Sequence, residues 1–230
     1  MTTGFTLFDT PIGTCSLVWA GETVVGLRLP EASPAATRAR IKRRWPDATE
    51  QTAPAAMQAI IDRVLTLLGG ERVDLRDVPL DFGTAPEFHK QVYEIARTIP
   101  AGQTMTYGEI ARRLGVPHES REVGQAMGKN PIAIIMPCHR VLGADGKPSN
   151  YVGGLPRKKY LLDIESRFHK MGGLDDNRVI GELTRRVRRP IVAARAVVKP
   201  AAKKRVTSAA RTAATSTVTA PIRAPKKRAR

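Results

Sequence analysis

Cys138 and His139 stand side by side in the run Ile134-Ile135-Met136-Pro137-Cys138-His139-Arg140-Val141, and the chain has only one other cysteine, Cys15. A thiol is a weak nucleophile near neutral pH until something favours its thiolate, and an imidazole held close by, directly or through one water, can take the proton. A lone intracellular cysteine is more often a small buried hydrophobe, but the neighbours of Cys138 favour chemistry. The apolar residues Ile132, Ile134 and Ile135 read as a short strand-type run ending at Met136. Pro137 fixes the backbone as that run closes, which delivers Cys138 at the mouth of a rigid element. Cys15 and Cys138 read as free thiols, and no Cys and His spacing has the pattern of structural zinc, so no metal is expected.

The elements that must position this pair can be traced along the chain. Phe5 to Asp9, Cys15 to Trp19 and Thr23 to Leu29 alternate like strands around the turns Pro11-Ile12-Gly13 and Ala20-Gly21-Glu22, predicting an antiparallel meander. Ser33-Pro34 opens a helix that Pro46 closes, and Pro54 opens another with Met57, Ile60, Ile61, Val64, Leu65 and Leu68 on one stripe. Thr84-Ala85-Pro86-Glu87 reads as the start of a helix carrying Phe88, Val92 and Ile95, ended by Pro100-Ala101-Gly102. Thr106-Tyr107-Gly108-Glu109 has the order of a capping box, and its helix should end at Gly115. Ser120 is expected to cap the next helix, through Val123, Ala126 and Met127. Two short helices joined by a tight turn predict a helix-turn-helix, with Arg121 and Lys129 at the two ends of its second helix.

The net charge of +17 is concentrated beyond Leu183, where 15 Lys or Arg occur with no Asp or Glu, so residues 1–182 carry only about +2. That Lys, Arg, Ala and Pro-rich tail, 183–230, is expected to be disordered and to add salt-sensitive, non-specific nucleic-acid contacts. The expected division is an N-terminal unit at 1–82, a second unit at 83–170 and the tail. No run is long and apolar enough to span a bilayer and the N-terminus lacks a signal-peptide layout, so no membrane contact and a cytoplasmic location are expected.

The helix pair, Asn130-Pro131, Pro137-Cys138-His139-Arg140-Val141 and Asn150-Tyr151-Val152-Gly153-Gly154, in that order, resemble the O6-alkylguanine-DNA alkyltransferases. The resemblance runs from about Pro86 to Glu165, and the meander is similar to that family's first domain. It implies an α+β fold: an N-terminal ribonuclease-H-like α/β domain followed by a helical domain of winged-helix or helix-turn-helix type. It also implies direct reversal of damage in duplex DNA by a single-use protein, nucleoid-associated if bacterial, acting as a monomer. Cys138 would accept the alkyl group from guanine O6, His139 would act as base through a water, and Glu165 would orient the imidazole. Tyr107 would help protonate the departing guanine and Asn130 would order the turn under the thiol. Arg121 would fill the gap left by the flipped base, with Ser120, Gln125, Ala126, Lys129 and Arg140 at the DNA. Met127, Tyr151, Val152 and Gly153 would shape the substrate pocket. Glu122 departs from the family, which has a small apolar residue there. A lesion sensor that barely reacts and a basic chromatin-associated structural protein stand as rivals.

Overall fold

The alternating N-terminal run forms the expected meander in the computed structural model, which describes residues 2–168. β1 (Thr3–Thr10), β2 (Gly13–Ala20) and β3 (Thr23–Arg28) pair antiparallel, and Thr49–Glu50 adds β4 parallel to β1, giving the order β3-β2-β1-β4. Gly13 and Gly21 take positive φ at the hairpin turns, where a side chain would be strained.

Period-2 alternation splits the strand residues between two faces. One face carries Phe5 and Val18 against Ile41 of α1 (Pro34–Arg44) and the half-buried Trp45. A Cβ on Gly26 would lie 2.5 Å from the Trp45 ring, so that glycine is what lets the indole rest on the sheet. Ser33 caps α1 by accepting from the Ala36 amide at 3.2 Å, with Pro34 in the first turn. The other face carries Leu17, Trp19 and Leu27 against the stripe of α2 (Ala55–Leu68).

Past Leu68 the chain runs without regular structure until α3 (Glu87–Arg97), then continues through α4 (Tyr107–Arg113), α5 (Ser120–Gly128) and α6 (Leu155–Ser166). The capping box is present: Thr106 Oγ1 accepts from the Glu109 amide at 3.1 Å, and Glu109 accepts from the Thr106 amide at 2.6 Å. Val92, Tyr93, Ile95 and Ala96 of α3 join the same core as α2 and the inner face of the sheet, so residues on both sides of position 82 share one apolar interior.

The outer edge of β3 is covered twice. Val24 exchanges hydrogen bonds with Pro79 and Asp81, and Leu27 with Pro131 and Ala133, so later segments of the chain occupy what would be an open edge. A two-residue parallel pair, β5 (Met105–Thr106) with β6 (Val141–Leu142), ties the start of α4 to the segment leaving Arg140. Neither pairing was expected from the sequence.

Two local expectations need correction. Residues 132–136 are a tight turn, not a strand: only Ile132 makes a bridge, and Ile134 takes φ 70°, a left-handed conformation that a β-branched residue rarely adopts. Ser120 is the first residue of α5 and not its cap, which is Glu119 without a side-chain hydrogen bond. The expected basic tail at 183–230 lies outside the described residues. Among those residues no helix is long and apolar enough to cross a membrane.

Candidate active site

Pro137 leads into a single 3-10 turn, Cys138–Arg140, in which the Arg140 amide donates to Pro137 O at 2.9 Å. The turn aims Cys138, His139 and Arg140 inward, with Cys138 3% exposed. Asn130 holds the approach. Its Nδ2 donates to Met136 O at 3.0 Å and to Cys138 Sγ at 3.1 Å, while its Oδ1 accepts from the Ile132 amide at 2.9 Å. One amide side chain thus closes the turn and touches the sulfur.

His139 Nε2 lies 2.9 Å from Glu165 Oε1, reaching across to α6. Glu165 also accepts from Arg140 Nε at 2.9 Å, from Arg140 Nη2 at 2.8 Å and from the Gly102 amide at 3.2 Å. Arg140 Nη1 donates to Ile99 O at 2.6 Å. Burial would raise the Glu165 carboxyl, but the adjacent His139 and Arg140 outweigh it and hold the group at about 2. An ionised Glu165 fixes the imidazole with Nε2 as its donor, which leaves Nδ1, buried and without a protein hydrogen bond, to receive a proton. Burial lowers the His139 pKa despite Glu165, so the ring rests neutral. Burial likewise raises the Cys138 thiol to about 11, against the opposing pull of Asn130 and Lys158. The sulfur therefore rests as a thiol beside a neutral imidazole whose free nitrogen can serve as base.

Lys158 of α6 is a member of this site that the sequence reading missed. It is fully buried, its Nζ donating to Val141 O at 2.6 Å and Ser149 O at 2.8 Å and lying 5.9 Å from the Tyr107 ring centroid. Burial lowers it to about 8. Its place in the basic run Arg157-Lys158-Lys159 concealed it; the signal was the helical spacing to Leu161 and Glu165, which puts it on the inner face.

The remaining expected residues divide by exposure. Ser120, Arg121, Gln125 and Lys129 are exposed on α5. Tyr107, Arg112, Ser120 and Arg121 line a groove of about 460 Å³. Ala126 and Met127 face the core, and the Ala126 carbonyl accepts from Tyr93 Oη at 2.8 Å, so Ala126 offers no exposed side chain to DNA. Arg140 is corrected as well: expected at the DNA, it is 6% exposed and committed to Glu165, because a guanidinium fork matches a buried carboxylate in two bonds. Glu122 sits in the first turn of α5, where a negative charge complements the helix dipole.

The loop at 151–154 leans on the N-terminal sheet. A Cβ on Gly153 would come too close to Leu29 Cδ1, so a larger residue there would have to push the Leu29 side chain aside. Tyr151 is half-buried with a hydroxyl that has no protein partner, and burial, then Cys138, keep its phenol protonated. Val152 is exposed at the tip. Among the described residues no group of three or more His, Cys, Asp or Glu is gathered as a metal cluster.

Residues 87–167 match the family model described as the 6-O-methylguanine DNA methyltransferase DNA-binding domain. The chain is similar to the methylated-DNA–protein-cysteine methyltransferase of Mycobacterium tuberculosis, 42% identical over 159 residues that cover 68% of this chain and 88% of the relative. Its counterpart in Methanothermobacter thermautotrophicus is 32% identical over 155 residues, covering 67% and 81%. Among solved structures, Mycobacterium tuberculosis OGT in complex with DNA superposes with a TM-score of 0.61 at 38% identity, covering 71% of this chain and 93% of that one.

Proposed function

The chain belongs to the methylated-DNA–protein-cysteine methyltransferase family, and from that membership we infer that it repairs DNA by direct reversal, with Cys138 as the alkyl acceptor. The observation that carries the assignment of the acceptor is the buried chain of contacts from Asn130 to Cys138, and from His139 to Glu165 and Arg140.

The substrate is O6-alkylguanine in duplex DNA, and the reaction follows from the groups present. The alkyl carbon is out of reach while the base is stacked, so the nucleotide must rotate out of the helix at a cost of about a few kcal/mol; Arg121, exposed in the first turn of α5, supports the reading that its side chain fills the space left. The thiol proton passes to His139 Nδ1 through one water. The Cys138 sulfur attacks the alkyl carbon, an S–C bond forms, and the bond from that carbon to O6 breaks. The guanine then takes a proton from Tyr107 as it leaves, and the imidazolium passes the thiol's proton through water to the Tyr107 phenolate, which restores both side chains. Glu165, kept ionised by Arg140, stabilises the imidazolium that forms between these steps. The sum is a thioether and restored guanine, with the thiol's proton ending on the base and no cofactor required. A thioether has no good leaving group, so each molecule acts once.

The finer architecture fits the same reading: a ribonuclease-H-like N-terminal unit, and α4 with α5 as the helix-turn-helix presenting Arg121. The protein acts as a monomer, and the basic tail adds non-specific contacts that hold it on DNA. Incubation with a duplex carrying one O6-methylguanine should add one methyl, about 14 Da, to the Cys138 peptide by intact mass and peptide mapping. No gain, from folded protein that binds the lesion tightly, would move the assignment to a lesion sensor.

A further inference from the structure

A second basic surface lies beside the site, on the N-terminal unit. Arg28 of β3, Arg40, Arg43 and Arg44 of α1, and Lys129 at the end of α5 line one groove of about 480 Å³ with Asn130 and Val152, and no carboxylate among the described residues lines it. Beside it, Glu31 pairs with Arg40 at 3.1 Å. Arg44 lies over the Trp45 ring at 5.2 Å, and Arg43 and Arg44 are exposed. Cations in the last turn of α1 suit that helix's own dipole, but the dipole does not explain why Arg28 and Lys129, from other elements, converge on the same groove. Like charges repel, and the Arg28 guanidinium shows it: burial first, then Arg40, Arg44 and Arg43, depress it to about 10 against the pull of Glu31. A folded chain that gathers five cations in one groove, with Glu31 on Arg40 as the one ion pair among them, has built a surface suited to a polyanion.

We propose that this groove binds the phosphodiester backbone of the substrate DNA, so that the duplex is held at both ends of α5, by Arg121 at one end and by the α1 cluster with Lys129 at the other. The nine residues of α5 span about 13 Å, roughly four nucleotides along one strand, so the two contacts fall on separate phosphates. The N-terminal unit then has a direct share in holding DNA, in addition to its packing role. This rests on the repair reading for the identity of the DNA, not for the chemistry of the groove.

The test compares two double variants of the full chain that remove equal charge from the same helix. Arg43→Gln with Arg44→Gln strips the groove, whereas Arg38→Gln with Lys42→Gln strips residues that do not line it. Fluorescence anisotropy with an undamaged duplex, across a salt series, gives the affinity and its salt slope for each. The groove variant should bind about tenfold more weakly near 0.1 M salt and lose about 1 to 2 from the slope, the release expected for one or two phosphate contacts. The control should change less than twofold, and transfer from a free alkylated nucleobase should proceed at the same rate in both. Equal losses in the two variants, or none in either, would overturn the proposal. Failure of the parent chain to take a methyl group would count against the repair reading alone and leave the binding comparison standing.

Discussion

Replacing Glu165 by Gln keeps the side chain's size and removes its charge, and the structure sets how much stability that should remove. The carboxyl is 1% exposed and is held at about 2 against an ordinary 4.5. Each unit is worth about 1.4 kcal/mol, so ionisation of this one group favours the folded state by roughly 3 kcal/mol near neutral pH. Because the folded value lies below the unfolded one, this stability is fully present above about pH 5. It drains away between 4.5 and 2 and is absent below. At pH 3 about 2 kcal/mol of it should already be lost. Glu165→Gln forfeits the whole contribution and leaves Arg140 buried beside a neutral amide, a loss of about 3–5 kcal/mol at pH 7. Urea denaturation of both proteins at pH 7 and pH 3 should show the gap between them narrowing by about 2 kcal/mol. A gap that stays constant with pH would refute an ionised Glu165 as the anchor of His139.

Asn130→Ala deletes three buried hydrogen bonds and should destabilise the protein by about 2–4 kcal/mol in denaturant titration, with methyl transfer slowed because Cys138 loses the Asn130 donor. With its thiol at about 11, Cys138 should be alkylated by iodoacetamide at a rate that climbs about tenfold per pH unit as far as pH 10; mapping of its peptide would show a plateau near 8.5 if burial does not hold it up. Lys158 has a folded value of about 8 below its ordinary 10.5, so the folded state sheds this proton first and stability should rise between those limits by roughly 2–3 kcal/mol. Lys158→Met should lack that rise when the two proteins are compared by denaturation at pH 8 and pH 10.

Local signals were legible where a few neighbouring residues decide the outcome. Thr106 and Glu109 form their box because three residues of spacing suffice, and the α2 stripe is read from periodicity alone. The run Ile132 to Met136 misled because strand-like composition does not create a pairing partner. Only Ile132 meets one, Leu27, and the rest is bent by Asn130 reaching to Met136. Arg140 and Lys158 were misjudged for a related reason: a cation's exposure is set by distant carbonyls and carboxylates, here Ile99, Glu165, Val141 and Ser149, whose approach no local pattern encodes. The pair Cys138 and His139 was visible as a dipeptide, whereas the element that makes it reactive lies on α6.

The bonds from Leu27 to Pro131 and Ala133 carry a consequence for how the chain acquires its reactivity. They join residues about a hundred positions apart, and such remote pairings form late because a long loop must close first. The turn that presents the sulfur is clamped from outside by a strand made about a hundred residues earlier, and from inside by α6, which follows it in the chain. A chain made only as far as this turn therefore holds Cys138 and His139 without the Glu165 that orients the imidazole. The complete relay from thiol to carboxylate is thereby a property of the assembled unit and of no shorter piece of it.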